Sequence, residues 1–415
     1  MIRHPKYPRL LLILLCTSLI GITLFAGSHW GSVRAEGADL LRDLLGDRAV
    51  AKLEMVLFHL QDSVLHWEYD LGLVEPASPW EIISASTGVM TSSTADPIRV
   101  TASSTPSPTE ITGPERRSAT PTPQPTATPT NIPTPTPWAL ATLQPCGSLD
   151  GEGIWTPYIQ DLNGKVLAYR AFLQPDPERP YVIVAVVAFD LKNTRLKFIL
   201  GSEEPYNPDS PKRDGRISEE DKKPGHLLAT FNGGFKATHG HFGAMASGVE
   251  ALPPRDGFGT IAMYSDGRVA IGAWGKEILP SADLSAWRQN GPLVIADGQI
   301  NEQIYNNNPM DWGYTVDDVS PTLRSGLAIS PDGRTLYYFA GDKMTMEDLA
   351  NSMKVARAAN GIQLDINNYW VNFVVLRTKA GQMLVEPLLP DLMRENLDRY
   401  LYPYVRDYFY ITSVP

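Results

Sequence analysis

The apolar and polar positions divide the chain into four stretches of different pattern. Leu10 to Ala26 is apolar apart from small or hydroxyl residues and follows the basic residues Arg3, Lys6 and Arg9. Leu41, Leu45, Ala49, Leu53, Val56, Leu60, Val64 and Trp67 then recur every three or four residues. That period predicts one or two amphipathic helices over Asp39 to Tyr69, broken near Gly46, with an apolar face that needs a partner, either the folded domain or a second copy in a homodimer. From Ser84 to Pro137 the periodicity vanishes into Ser, Thr and Pro, ending in Pro133-Thr-Pro-Thr-Pro137. Such a segment cannot bury enough apolar surface to offset its chain entropy, so it reads as an extended stalk with a reach of over about 100 Å.

Beyond Cys146 the pattern changes to short β-branched runs divided by turn residues. Tyr181 to Leu191, Arg195 to Gly201, Leu227 to Phe231, Ala246 to Leu252, Thr260 to Tyr264, Val269 to Ala273, Leu293 to Ala296, Gly326 to Ser330, Thr335 to Ala340 and Ile362 to Ile366 read as strands. Glu203 to Pro224 is a long charged loop that feeds into the Leu227 strand. Thr345-Met-Glu-Asp348 supplies an N-cap and an acidic first turn, Leu349, Met353, Ala356 and Ala359 share one helical face, and Asn360-Gly361 ends the helix. The fold class that follows is α+β, a mostly antiparallel mixed sheet with a few packed helices. The boundaries read as 1–35, signal peptide or membrane anchor; 36–83, amphipathic helical segment; 84–145, linker; and 146–415, one folded domain.

Charge and cysteine usage narrow the compartment and the partners. The basic start before about 17 apolar residues predicts export, with Val33-Arg-Ala35 as a cleavage pattern and retention as a membrane helix as the alternative. Of the 2 cysteines, Cys16 lies in that apolar segment and Cys146 beyond the linker, so no intramolecular disulfide is expected in the mature domain. A net charge of −10 with no basic run argues against nucleic acid as a partner.

The stretch most suggestive of chemistry is Leu227-Leu-Ala-Thr-Phe-Asn-Gly-Gly-Phe-Lys236, a buried-looking strand that ends on an amide, two glycines, an aromatic and a lysine. Asn232 at the strand end, with Gly233 and Gly234 turning through positive φ and offering N–H groups, and with Lys236 close by, could hold an anionic or hydroxyl-rich ligand. Asn-Gly between apolar runs is equally the commonest hairpin signal. Asp365 ends another buried-looking strand, where a carboxylate must be paired or lie at a sheet edge. Arg324 suits a phosphate oxygen pair through its planar fork, or else bridges Asp317, Asp318 or Asp332. His239-Gly-His241 lacks a third ligand at a metal-binding spacing, so a solvated or substrate-contacting loop is favoured over zinc.

Asn232-Gly-Gly-Phe235, Gly243, Asn290-Gly-Pro-Leu-Val-Ile-Ala-Asp-Gly298, Arg324-Ser-Gly, Asp332-Gly-Arg334 and Leu364-Asp365 occur in an order that resembles the phosphodiester glycosidase family, over Trp155 to Phe373. The resemblance, on the exopolysaccharide-related bacterial side of that family, implies an exported glycosidase that hydrolyses a sugar-1-phosphodiester in cell-envelope or exopolysaccharide metabolism. It implies Asp365 as base or cation stabiliser, Arg324 as phosphate ligand and Asn232 as the group orienting hydroxyls. Gly233, Gly234, Lys236, His241, Gly243 and Asn367 would contact substrate. No cofactor is demanded, although a divalent cation could assist. Where the family has a glycine- and serine-rich turn after this aspartate, the chain has Ile366-Asn-Asn-Tyr-Trp370. That departure supports the alternative of a non-catalytic surface domain that binds envelope polysaccharide.

Overall fold

The computed structural model describes residues 46–80, 138–305, 312, 319–366, 369–379 and 381–414. The signal or anchor segment, the stalk and Asn367 lie outside the described residues. Residues 46–80 and 140–414 belong to one compact unit, and the second unit, 83–139, is described only at Trp138 and Ala139.

Three sheets enclose the core, and every pairing between their strands is antiparallel, with one isolated parallel bridge from Trp274 to Ile278. The expected mostly antiparallel pairing with few helices holds, but it is divided among three sheets instead of one mixed sheet. The largest has eight strands, in the order Thr156–Gln160, Val166–Leu173, Val184–Asp190, Thr335–Met344, Thr322–Ile329, Asn360–Ile366, Ile295–Ala296 and Gln299–Ile300. A second runs Gln382–Pro387, Phe373–Lys379, Leu227–Asn232, Tyr408–Ser413, Thr194–Ile199. A third runs Val249–Leu252, Ala244–Ala246, Leu284–Gln289, Gly259–Tyr264, Val269–Ala273. The outer strands Thr156–Gln160, Val166–Leu173, Phe373–Lys379 and Gln382–Pro387 and the central Leu284–Gln289 were not evident from alternation, because several of them mix Arg, Lys and Gln with apolar residues.

Aromatic rings join the first two sheets. Phe231 lies 5.0 Å from Tyr338, 5.7 Å from Phe373 and 5.6 Å from Phe409, between ring centroids. Such clustered rings add to the apolar burial that holds the layers together. The third sheet closes the core edge, where Gly259 lies so near the Asn360–Ile366 strand that a Cβ would sit 2.6 Å from Ile362 Cγ2.

Helix α2, Met346–Val355, covers the outer face of the large sheet and starts as expected, with a reciprocal capping box between Thr345 and Asp348. Its end differs from expectation. The helix stops at Val355, Arg357 takes the left-handed conformation at φ 56°, and Asn360 and Gly361 already belong to the next strand. Gly361 is there for close packing, since a Cβ would meet Met353 Sδ at 2.6 Å.

Helix α1, Asp47–Asp70, begins after Gly46 at φ 82°, where the periodicity predicted a break. Of the two partners expected for its apolar face, the folded domain is not the one, because the helix docks through other residues. Asp62 meets Arg179 and Tyr181, Gln61 accepts from Lys343 Nζ, and Phe58 joins Phe235, Phe242 and Ile366. The apolar stripe of Val56, Leu60, Val64 and Trp67 instead faces outward, Trp67 being 61% exposed. Polar anchors on the domain rim select the other face, which periodicity cannot foresee. No described helix is long and apolar enough to cross a membrane.

Candidate functional site

Two strand ends and one strand start bring the expected residues together. Leu227–Asn232, Asn360–Ile366 and Thr322–Ile329 converge so that Asp365 N donates to Gly233 O at 3.0 Å, and Ser325 Oγ donates to Asp365 O at 2.8 Å. Asn232 Nδ2 donates to Ser325 Oγ at 2.9 Å, while its Oδ1 accepts from Tyr338 Oη at 3.1 Å and from Asn372 N at 3.3 Å. Asn232 is thus 2% exposed and fastens the two sheets. No hairpin follows it, because the chain continues through the short 3₁₀ turn Ala237–His239 into Ala244–Ala246.

Gly233 and Gly234 correct the expectation of a positive-φ turn, for neither has that conformation. They are glycines because charged side chains approach the backbone. A Cβ on Gly233 would lie 2.3 Å from Asp407 Oδ2, and one on Gly234 would lie 2.8 Å from Arg288 Cζ. Their N–H groups are also committed, Gly233 N to Asp407 O at 3.2 Å and Gly234 N to Asp407 Oδ2 at 3.0 Å. They do not form the ligand cradle expected from the sequence.

Around Gly234 four buried charges alternate. Arg406 Nη2 donates to Asp365 Oδ2 at 2.5 Å and to Gly234 O at 2.9 Å. Arg288 Nε donates to Asp407 Oδ2 at 2.8 Å, and its Nη2 to Phe235 O at 2.7 Å. Arg406 and Asp407 immediately precede Tyr408–Ser413, which pairs with the Asn232 strand, so sheet pairing delivers them to Asp365. Three buried polar atoms near this cluster carry no hydrogen bond among the described residues: Arg406 Nε, Asp407 Oδ1 and Arg213 Nη1. An unmet donor or acceptor costs free energy, so this part of the site suits a polar ligand or water.

Burial raises the Asp365 carboxyl to about 6, against the lowering pull of the Arg406 guanidinium and the Ile366 amide. Arg406 is held above its ordinary value, because Asp365 and Asp407 outweigh its own desolvation. Its guanidinium lies 4.5 Å from the centroid of the Trp370 ring, over which Lys236 Nζ also sits at 5.6 Å. The bulky Tyr369-Trp370 turn therefore flanks the cation that pairs with Asp365, and the indole face adds to the charge's surroundings what a glycine- and serine-rich turn could not. The long charged loop 203–224 reaches the segment just after Lys236, since Glu204 Oε2 accepts from Ala237 N at 2.9 Å.

The other expected residues lie as follows. Arg324 is 1% exposed, with Nε bonded to Met344 O at 2.8 Å, Nη1 to Gln363 Oε1 at 2.7 Å and Nη2 to Ser320 O at 2.9 Å. A guanidinium engaged on all three nitrogens is a strand clamp, which corrects its reading as the phosphate fork. Arg324→Lys is accordingly expected to lower the thermal midpoint by several degrees while leaving KM within about twofold, because one ammonium cannot replace three spread donors. Thermal unfolding and steady-state kinetics on the same preparation check it.

His241 is exposed at φ 50° and donates its N–H to Ala237 O at 2.8 Å. Gly243 is a packing glycine, since a Cβ would meet Pro253 O at 2.6 Å and Trp287 Cζ3 at 2.7 Å. No group of three or more His, Cys, Asp or Glu side chains suited to a metal ion occurs among the described residues. Sequence reasoning missed Arg288, Arg406 and Asp407. The only available signal was an Arg-Asp pair directly before the aromatic run Tyr408-Phe-Tyr410, which does not reveal its distant partner.

No family model and no curated protein matches the chain. Among solved structures, it is similar to the zebrafish N-acetylglucosamine-1-phosphodiester alpha-N-acetylglucosaminidase catalytic domain, auto-inhibited by its pro-peptide. That match has 14% identity and a TM-score of 0.37, covering 62% of this chain and 87% of the other. A hypothetical protein from Synechocystis matches at 10% identity and a TM-score of 0.30, over 56% and 59% of the two chains. Likeness at this level is distant, and the functional reading rests on the site itself.

Proposed function

We propose that the domain is an exported hydrolase that cleaves a sugar-1-phosphodiester of the cell envelope or an exopolysaccharide, with Asp365 and Arg406 as its working pair. The supporting observation is the buried Asp365–Arg406 contact beside polar atoms that lack protein partners. Water oxygen would bond to the anomeric carbon as the bond from that carbon to the phosphate oxygen breaks. The electron pair leaves with the phosphate monoester, and the water proton passes to Asp365. A carboxylate brought to about 6 is ionised at neutral pH yet basic enough to take that proton. Arg406 takes the anion-stabilising role first expected of Arg324, through the Nε that has no protein partner, and Lys236 adds positive charge near the leaving group. Asn232 acts indirectly, by fixing Ser325, which in turn holds the Asp365 backbone.

The test is incubation of the full chain with a panel of sugar-1-phosphodiesters, with both the free sugar and the phosphate monoester identified. Release of neither product from any member would remove the enzyme reading. The alternative, a polysaccharide-binding surface domain, has its own observation in the Tyr369-Trp370 turn, and would show glycan binding without turnover.

The pH profile follows from Asp365. Since burial brings its carboxyl to about 6, kcat should be level above that value and fall about tenfold for each pH unit below it. A profile whose acidic limb lies near pH 4 would mean that another carboxylate carries the step.

A further inference from the structure

Beyond the far end of Thr322–Ile329 lies a second cluster of charge, at a cavity of about 360 Å³. Three turns form it: the hairpin turns 265–268 and 330–334, and residues 191–193, which carry the chain from Val184–Asp190 in the large sheet to Thr194–Ile199 in the second. Ser325 stands near the start of Thr322–Ile329 and the cavity hairpin follows its end, so the two places are roughly 17 Å apart along the strand. The cavity is lined by Lys192, Arg195, Arg268 and Arg334 with Asp266. That is a concentration of cations in a chain of net charge −10.

The neighbouring carboxylates do not cancel all four. Arg334 is paired with Asp190, which is 2% exposed, at 3.1 Å. Arg268 stands 3.8 Å from Asp266 and lies over the Tyr264 ring at 3.7 Å. Asp332, in the adjoining turn, accepts from Ser330 Oγ and Arg334 N. Lys192 and Arg195 have no carboxylate partner among the described residues.

Arg195 is also held in place, unlike a solvated surface arginine. Its Nη1 donates to Leu191 O and to Thr194 O, both at 3.0 Å. The side chain crosses the turn at Gly267, where a Cβ would lie 2.3 Å from its Nε. Gly267 has φ 88°, so both its conformation and its missing side chain admit the guanidinium. The Nε–Nη2 edge is left without a protein hydrogen bond among the described residues, and a planar two-donor edge fits two oxygens of one oxyanion.

We propose that this cleft is a second ligand site, which takes a phosphate or carboxylate group borne on a sugar, with Arg195 as the bidentate contact and Lys192 as the neighbouring charge. Its volume is at the small end of ligand pockets and admits about one sugar ring with its charged substituent. A site so placed would hold an anionic glycan away from the Asp365 cluster. The oxyanion chemistry does not depend on the proposed hydrolysis, because no residue is shared.

The experiment is calorimetric titration of the full chain with inorganic phosphate and with glucuronate, and with glucose as the neutral control. Saturable binding of at least one anion is expected, weaker at higher salt, with glucose silent. Lys192→Glu, an exposed change that leaves the fold intact, and Arg195→Gln should each weaken it about tenfold or more. Binding of phosphate alone, or of glucuronate alone, supports the site and identifies its oxyanion. The proposal is overturned if neither anion binds, if glucose binds as well, or if Lys192→Glu leaves the affinity unchanged. Binding kept in Lys192→Glu but abolished in Arg406→Gln would place the anion in the Asp365 site instead.

Discussion

Asp365→Asn should lower the turnover of a sugar-1-phosphodiester by about 10²- to 10⁴-fold, since the amide keeps the size but neither accepts a proton nor stabilises a cationic transition state. Its effect on stability is a separate readout, because the amide relieves the burial cost of the ionised carboxyl while it leaves the Arg406 guanidinium without its carboxylate. The two effects separate in the double variant Asp365→Asn with Arg406→Gln. Removing both charges should leave the thermal stability close to that of the wild type, while turnover stays low. Full activity in the single variant, or in the double, would reduce Asp365 to a structural residue.

The same carboxylate gives a pH signature of stability with a definite sign. Its folded value of about 6 lies above the ordinary 3.8, so between these values the folded state binds the proton more tightly than the unfolded chain. Asp365 therefore favours folding most below about pH 4, and that contribution is lost as the pH rises through 6, by about 3 kcal/mol. Chemical denaturation of the wild type and of Asp365→Asn across this window should show a difference in slope confined to it.

Asp407→Ala should have the largest effect on stability alone. The change strands Arg288, which is 0% exposed, and removes the acceptor of the Gly234 N–H. A cost of roughly 3–5 kcal/mol is expected, about 10 °C in the thermal midpoint. Replacing the pair together, as Arg288→Met with Asp407→Leu, should recover part of it, since apolar substitutes remove the desolvation penalty of both ions. A midpoint within about 2–3 °C of wild type for Asp407→Ala, the effect of a change near 1 kcal/mol, would mean that water reaches Arg288 and that the pair is not a closed one.

Local patterns gave much of the scaffold directly. Short β-branched and apolar runs located most inner strands, the Thr345-to-Asp348 spacing fixed the start of α2, and Gly46 marked the start of α1. These features rest on contacts within a few residues, which is the range over which a linear sequence is explicit. Asn232 and Asp365 were also legible, since a polar residue that ends an apolar run must find a partner or solvent.

What the chain order could not state was which partner each found. Arg324 read as a phosphate fork or a bridge to a nearby aspartate and proved to clamp Ser320, Gln363 and Met344, whereas Arg406, inconspicuous in the sequence, reached Asp365 across 41 residues. Gly233 and Gly234 read as turn residues and were instead close-approach residues beneath Asp407 and Arg288. On α1, periodicity identified an apolar face, and the structure docked the opposite one through Asp62 and Phe58. In each case the residue type sets what a side chain can bond to, and sheet pairing between distant segments decides what lies within reach, so the Asp365–Arg406 site exists only once Tyr408–Ser413 has paired beside Leu227–Asn232.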